Sequence, residues 1–350
     1  MRIGLYGMPM AGKTYILNQL DFIEVATGSK LLRQYNPDFD FRNEVGRKNA
    51  RKALAELMVQ KESFIMDGHY AFGNEIAFTE EDGRMYDAFL YLYISPEILK
   101  VRMESSEKNW KYLEYDIEKW QNDEIIGLRE YCHKHDKDFY VIDNPPAYSF
   151  GNVSEVVGFI QAIVSGYSCV AYARKCADEI LSLSRSNIVI LFDGDKTLTK
   201  EDSSNAVFGY KTHLYDGNFY TGYQAWRQSE EFKQYRFQVI DRMPVQINEM
   251  VGRQINETSF ILTSGHEKVW GYIASQLKIP YFGGMEMSAE TKLFITKRLQ
   301  EAGKTVIAYG DGMNDYYMLK QADKGFLVTK PDGSISKSLK GKNVEGLKLV

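Results

Sequence analysis

Two short stretches of this sequence combine residue types suited to handling phosphate. Gly7-Met8-Pro9-Met10-Ala11-Gly12-Lys13-Thr14 has the spacing G-x-x-x-x-G-K-[ST]. Its glycines let backbone N–H groups curl around phosphate oxygens, and a helix starting near Lys13 adds the partial positive charge of its N-terminus. Lys13 is then placed to reach β- and γ-phosphates, and the Thr14 hydroxyl to hold Mg²⁺. Gly7, Gly12, Lys13 and Thr14 are the expected contacts of ATP and its Mg²⁺. The second stretch, Asp193-Gly194-Asp195-Lys196-Thr197, sets two carboxylates two positions apart after an apolar run. Such a pair can divide the hydrolysis of a phosphoester: Asp193 attacks phosphorus, while Asp195 protonates the leaving group and later activates water. Mg²⁺ between them would screen the repulsion between an anionic nucleophile and an anionic ester.

Both motifs need strands to aim them. The first half alternates short runs rich in β-branched and aromatic residues, at 2–6, 22–26, 63–67, 88–94 and 138–143, with segments of helical length. That alternation predicts a parallel sheet with helices on its faces. A break follows at Asn144-Pro145-Pro146. The stretch 156–173 carries no charge and is expected to be a buried or inter-domain helix. It includes Gln161, Ser165, Gly166 and Ser168, and a spanning helix needs about 20 mostly apolar residues, so no stable membrane association is expected. Residues 184–187 form a polar hinge. The second half restarts the pattern with strands at 188–192, 259–263, 305–309 and 325–328. Between its first two strands lie some 60 residues of helical character, the size of an inserted cap. The expected organisation is a nucleotide-binding domain at 1–165, a helical linker at 166–186 and a second α/β domain at 187–350, with the cap at about 201–256.

Composition sets the limits. The 350 residues are 44% hydrophobic and 26% charged, ordinary for two globular domains. Cys132, Cys169 and Cys176 have no metal or redox spacing and read as free thiols in a reducing compartment. No secretory signal opens the sequence, so a cytoplasmic location is expected. Residues 1–165 hold 19 basic and 26 acidic side chains and residues 166–350 hold 24 and 21. An acidic front half lacks the broad positive footprint that phosphate backbones usually require.

Beyond its loop, the first half resembles the nucleoside monophosphate kinases, adenylate kinase in particular. Ala26-Thr27-Gly28-Ser29-Lys30-Leu31-Leu32-Arg33 is similar to the family's acceptor-phosphate segment S-T-G-D-L-L-R. Phe64-Ile65-Met66-Asp67-Gly68-His69-Tyr70 stands where the family has a D-G-F-P-R turn, and Ser95-Pro96-Glu97 leads a helix containing Arg102, similar to the arginine that opens the lid. The resemblance implies that Thr27 and Arg33 grip the acceptor, with a surface position as the alternative for Arg33. It implies that Arg102 stabilises the transferring group. His69-Tyr70 departs from the aromatic-Pro-Arg element, 103–111 lacks the second lid arginine, and Ser29 replaces an aspartate. A phosphate acceptor needs no base; for a hydroxyl acceptor, Asp38, Asp40 or Asp67 could serve. Asp67 is counted with the substrate-side residues, as a ligand of water or of hydrated Mg²⁺.

The second half resembles the haloacid dehalogenase superfamily of phosphohydrolases over residues 187–335. After the D-x-D-x-T stretch come Ile261-Leu262-Thr263, Ser288-Ala289-Glu290-Thr291-Lys292 and Gly310-Asp311-Gly312-Met313-Asn314-Asp315, in the superfamily's order. The resemblance implies that Thr263 holds a phosphoryl oxygen, that Lys292 stabilises an aspartyl-phosphate and that Asp193, Asp195, Asp311 and Asp315 make the Mg²⁺ site. The GDGxND form and the cap position look most like the phosphoserine phosphatase branch. Residues 201–240 carry ten aromatic side chains interleaved with Lys211, Arg227, Lys233 and Arg236. They could stack a base and bind its phosphate, with Arg227 and Arg236 as contacts, or form the core of a small cap. His266 could line the pocket or cap a helix.

The expected fold class is α/β: an N-terminal P-loop kinase fold with its Walker A loop, and a C-terminal haloacid-dehalogenase-type Rossmannoid fold with a helical cap. The expected function is a bifunctional ATP-dependent kinase and Mg²⁺-dependent phosphomonoesterase acting on nucleotide-like substrates. The order of the halves also resembles phage-type polynucleotide kinase-phosphatases, so healing of nucleic-acid ends is the main rival. A phosphatase gated by a non-catalytic nucleotide-sensing domain is the third reading.

Overall fold

Strands apolar on both faces need helices on either side, and both halves of the chain meet that need in the same way. The computed structural model describes residues 1–35, 44–143, 153–209, 219–234, 240–284 and 286–350. The break at 144–146, Asp38, Asp40, Lys211 and Arg236 lie outside the described residues. The chain forms two units, Met1–Tyr167 and Ser168–Val350.

In the first unit the strands are β1 (Arg2–Tyr6), β2 (Val25–Thr27), β3 (Phe64–Asp67), β4 (Ala71–Phe72), β5 (Glu75–Ile76), β6 (Ala88–Leu92) and β7 (Asp138–Ile142). Five of them make a parallel sheet in the order β2-β3-β1-β6-β7, and β4 and β5 form a small antiparallel hairpin beside it. β6 and β7 are buried along their whole length. The strand order reverses at β1, and ligands of open parallel sheets bind at the carboxyl end of such a switch point. The glycine loop after Tyr6 lies there.

The second unit contains β8 (Ile188–Phe192), β9 (Ser259–Thr263), β10 (Tyr281–Gly283), β11 (Thr305–Gly310), β12 (Lys324–Leu327) and β13 (Lys348–Leu349). All six are parallel, in the order β10-β9-β8-β11-β12-β13. Alternate residues of β8 serve the two faces. Val189 and Leu191 join the core with helices Cys169–Leu183 and Ala289–Glu301, and Ile190 and Phe192 join the core around Trp270 of helix Glu267–Leu277. β8 is this sheet's switch strand, and Asp193 follows it directly. The insertion between β8 and β9 carries helices Ser203–Phe208, Gly222–Phe232 and Glu249–Gly252.

Several expectations change. The uncharged stretch is two helices, Val153–Val164 and Cys169–Leu183. Gly166 takes φ +108°, and the Ser168 side chain accepts a bond from the Ala171 N–H to start the second helix. No single helix among the described residues is long and apolar enough to cross a membrane. The segment read as a linker, 166–186, is not free-standing, because Val170, Ala173, Cys176, Ala177 and Ile180 are buried in the second unit's core. Strands β10 and β13 and the β4–β5 hairpin were not foreseen. The first predicted crossover strand, 22–26, sits at Val25–Thr27.

Candidate active sites

In the first unit the chain leaves β1 into a loop that only glycine can open. Gly7 has φ +148°, and a Cβ there would stand 2.8 Å from the Leu92 carbonyl oxygen. Gly12, at φ +97°, precedes helix Lys13–Leu17. The buried Lys13 curls back, its Nζ donating to the carbonyls of Gly7 and Met8, the latter at 3.1 Å. Thr14 is exposed on the same helix. Arg102 comes from helix Pro96–Glu104 and donates to the Met10 carbonyl at 3.1 Å, so it does reach the loop. Asp67 ends β3, pairs in register with Thr27 of β2 and accepts the Gly28 N–H at 3.1 Å. Arg33 is exposed on helix Gly28–Tyr35. The structure thus gathers Gly7, Gly12, Lys13 and Arg102 around one loop and puts Thr27 and Asp67 on the two strands beside it.

The sequence reading missed Glu124. It is 1% exposed on helix Ile117–Lys134; Oε1 accepts the Ala71 N–H and the Trp120 indole N–H, both at 3.1 Å, and Oε2 accepts the Tyr91 hydroxyl at 2.7 Å. Its carboxylate anchors the hairpin that follows Asp67-Gly68-His69-Tyr70. Burial raises its pKa, with the bond from Tyr91 opposing. Two of the three donors are fixed N–H groups, whereas the Tyr91 hydroxyl can turn and accept. Glu124→Gln should therefore cost less than about 1 kcal/mol. Glu124→Leu strands all three donors at roughly 1–3 kcal/mol each, a difference that urea unfolding would read directly.

Burial lowers the Lys13 pKa to about 8, although Glu124 and Asp67 pull the other way. The ammonium that phosphate requires is thus present below about pH 8 in the free protein and lost above it. On the expectation that this loop takes a nucleotide, affinity should fall as pH rises through that value, and binding near pH 8.5 should take up a proton. Calorimetry in buffers of different ionisation enthalpy would register the uptake.

In the second unit Asp193 leaves β8 with its N–H donating to the Tyr309 carbonyl at 2.9 Å. Both carboxylate oxygens are held: Oδ1 by Lys292 Nζ at 2.7 Å and Oδ2 by the Thr197 hydroxyl at 3.1 Å. Lys292 is 0% exposed and also reaches Asp315 Oδ1 at 2.7 Å. Burial opposes its charge, but Asp193 and Asp315 overcome that and raise its pKa. Asp315 Oδ2 in turn accepts the N–H groups of Asp311 and Gly312, which shapes the loop after β11. Thr263 ends β9 buried, its oxygen accepting the Gly265 N–H at 3.0 Å, which leaves the hydroxyl proton to donate. Gly194 allows this crowding, since a Cβ there would lie 2.7 Å from Thr263 Oγ1 and 2.4 Å from the Trp270 ring.

Asp193, Asp311 and Asp315 each offer an oxygen, all within 4.8 Å of one another. Asp195, two positions on from Asp193, is not in that side-chain group. Its backbone is extended and Lys196 turns left-handed at φ +60°. The Asp195 carboxylate accepts the Ser203 N–H at 2.7 Å and faces the Trp270 indole N–H at 3.5 Å. Burial, with the charges of Asp202 and Asp193, raises its pKa to about 7 against the Ser203 bond. Burial and the Asp193 charge raise Asp315 to about 6, although Lys292 opposes. Burial and both neighbouring carboxylates raise Asp311.

His266 precedes helix Glu267–Leu277, yet its side chain does not cap it. Its ring stands edge-on to Phe208 and Phe232 at centroid distances of 5.1 and 5.0 Å. Tyr223 is fully buried, Phe219 is 9% exposed, and Arg227 lies over the Tyr223 ring at 5.6 Å. Among the described cap aromatics, Phe219 and Tyr223 are thus buried, while Phe208, Tyr220, Trp226 and Phe232 are half-buried. Ser203 and Trp270, which position Asp195, carried no signal recognisable in the sequence.

The sequence matches no protein-family model and is similar to none of the curated proteins. Solved structures similar to parts of the chain include a substrate-bound phosphoserine phosphatase, 16% identical over 43% of this chain and 90% of that one, with a TM-score of 0.32. A shikimate kinase from Acinetobacter baumannii in complex with shikimate is 18% identical over 47% of this chain and 93% of that one, with a TM-score of 0.34. A HAD family hydrolase from Salmonella enterica serovar Typhi is 14% identical over 47% of this chain and 68% of that one, with a TM-score of 0.29. These neighbours are a phosphatase, a kinase and a hydrolase, each matched over less than half of this chain.

Proposed function

We propose that the chain is a bifunctional enzyme, an ATP-dependent kinase in its first unit and a Mg²⁺-dependent phosphomonoesterase in its second, acting on nucleotide-like substrates. The observation that carries the second activity is the buried Lys292 ammonium clamped between Asp193 and Asp315, with Asp311 completing a tight carboxylate group. For the first activity the support is the glycine loop at the switch point of the sheet, with Lys13 and Arg102 on it.

The donor set of the second site fits Mg²⁺. It is all oxygen, as a hard cation requires, and Asp311 and Asp315 are raised by burial first and by neighbouring carboxylates second, a charge crowding that a cation would relieve. Asp193, Asp311 and Asp315 would hold the ion, which supplies charge neutralisation for the incoming phosphate dianion. Asp193, with both oxygens oriented, attacks phosphorus while Asp195 gives its proton to the departing alkoxide. Asp195 then takes a proton from water, which releases phosphate from Asp193. Lys292 and Thr263 stabilise the transferring group throughout. In the first unit Gly7, Gly12, Lys13 and Thr14 take ATP with its Mg²⁺. Arg102 acts on the transferring phosphoryl group, with Thr27, Arg33 and Asp67 on the acceptor side.

The test is Mg²⁺-dependent hydrolysis of p-nitrophenyl phosphate, together with transfer of label from γ-labelled ATP to an acceptor. A chain that binds ATP but transfers no label under any condition would reduce the first unit to a sensor.

A further inference from the structure

Of the tryptophans in unit 1, Trp120 is 5% exposed and gives its indole N–H to Glu124, whereas Trp110 is 65% exposed. Trp110 has no ring partner among the described residues. It opens the short 3₁₀ turn Trp110–Glu114, just past helix Pro96–Glu104. The residue before it, Asn109, places Nδ2 3.1 Å from Met10 Sδ and 2.9 Å from the Ser106 hydroxyl. Arg102 from the same segment donates to the Met10 carbonyl. Two side chains therefore fasten this segment to the outer turn of the glycine loop, and the next residue along is a bare indole. Its backbone N–H is bound to the Ser106 carbonyl at 2.9 Å, so the turn that presents it is built. Lys108 and Lys111 neighbour it in sequence, and the Lys111 ammonium stands over the Tyr112 ring at 5.1 Å.

We propose that Trp110 is the base platform of the ATP site, stacking on the nucleobase of a nucleotide whose phosphates lie in the glycine loop. This rests on the reading of that loop as a triphosphate site. An exposed flat indole on a segment fastened to the glycine loop suits a base joined to a triphosphate: the ring face takes the base while the loop takes the anion. Stacking accepts any base, because each has a π-face. The site should therefore discriminate nucleotides from bare polyphosphate strongly and ATP from GTP weakly.

The experiment compares ATP with inorganic tripolyphosphate, each with Mg²⁺, by calorimetry on the full chain and its Trp110→Ala and Trp110→Phe variants. The wild-type preference for ATP over tripolyphosphate should fall about tenfold or more in Trp110→Ala and be largely kept in Trp110→Phe. Indole fluorescence should be quenched by ATP, not by tripolyphosphate, and the quench should vanish in Trp110→Phe. An unchanged preference in Trp110→Ala, or an ATP quench that survives in Trp110→Phe, overturns the base platform and leaves the triphosphate loop standing. Failure of the wild type to bind either compound overturns the loop reading and the platform with it.

Discussion

Lys292→Met is expected to abolish phosphatase turnover and to lower stability by about 3–5 kcal/mol at neutral pH. The side chain is fully buried and touches two carboxylates, each at 2.7 Å. Removing one partner of a buried ion network leaves the others uncompensated, which is far costlier than losing a surface pair. On the proposed mechanism activity falls separately, by at least ~10²–10³-fold, because the ammonium there serves as a preorganised donor to the transferring group. Sign and window follow from the carboxylates. Without the ammonium, Asp315, already raised to about 6, rises further, so its ionised form penalises the fold. The stability deficit should therefore be full above the variant's further-raised value and shrink as pH falls from there to about 6, below which Asp315 is protonated in both proteins. Mg²⁺ should narrow the deficit at neutral pH, since the same oxygens offer it a site. Chemical unfolding at several pH values, with and without Mg²⁺, measures all of this; a variant as stable as wild type would show that the Lys292–Asp193–Asp315 network does not balance buried charge.

Asp193→Asn is expected to remove phosphatase activity by at least ~10³-fold while leaving label transfer from γ-labelled ATP intact. The kinase product then accumulates instead of being erased. Offering nucleoside monophosphates and 5′-hydroxyl oligonucleotides in parallel separates the readings. Label on a mononucleotide makes the first unit a nucleotide kinase, with the second as its counterweight. Label on an oligonucleotide end makes the pair an end-healing enzyme and sets aside the argument from the acidic front half. Stoichiometric transfer to either acceptor excludes the nucleotide-sensor reading.

The site's most local parts were the most readable. Gly7 to Thr14 and Asp193 to Thr197 are continuous with the strands that present them, so spacing alone implied the geometry. Asp195 shows the limit. Its identity as a paired carboxylate was legible, but the bonds that orient it depend on the left-handed turn at Lys196 and on Ser203, eight positions on. Glu124 was invisible for a related reason. A glutamate in an amphipathic helix reads as solvated, and this one is buried because Ala71, Tyr91 and Trp120 converge on it from separate elements. The helix at 156–173 failed on a single residue, since Gly166 between polar neighbours ends one helix and frees the next. β10 and β13, at three and two residues, are too short for any periodicity to mark them.

The bond from the Ser203 N–H to Asp195 ties this carboxylate to the root of the inserted helices, since Ser203 begins the first of them. That N–H favours the ionised carboxylate, while burial favours the neutral one. Asp195 thus takes its acidity from two opposed sources, and the first residue of the inserted helix is one of them.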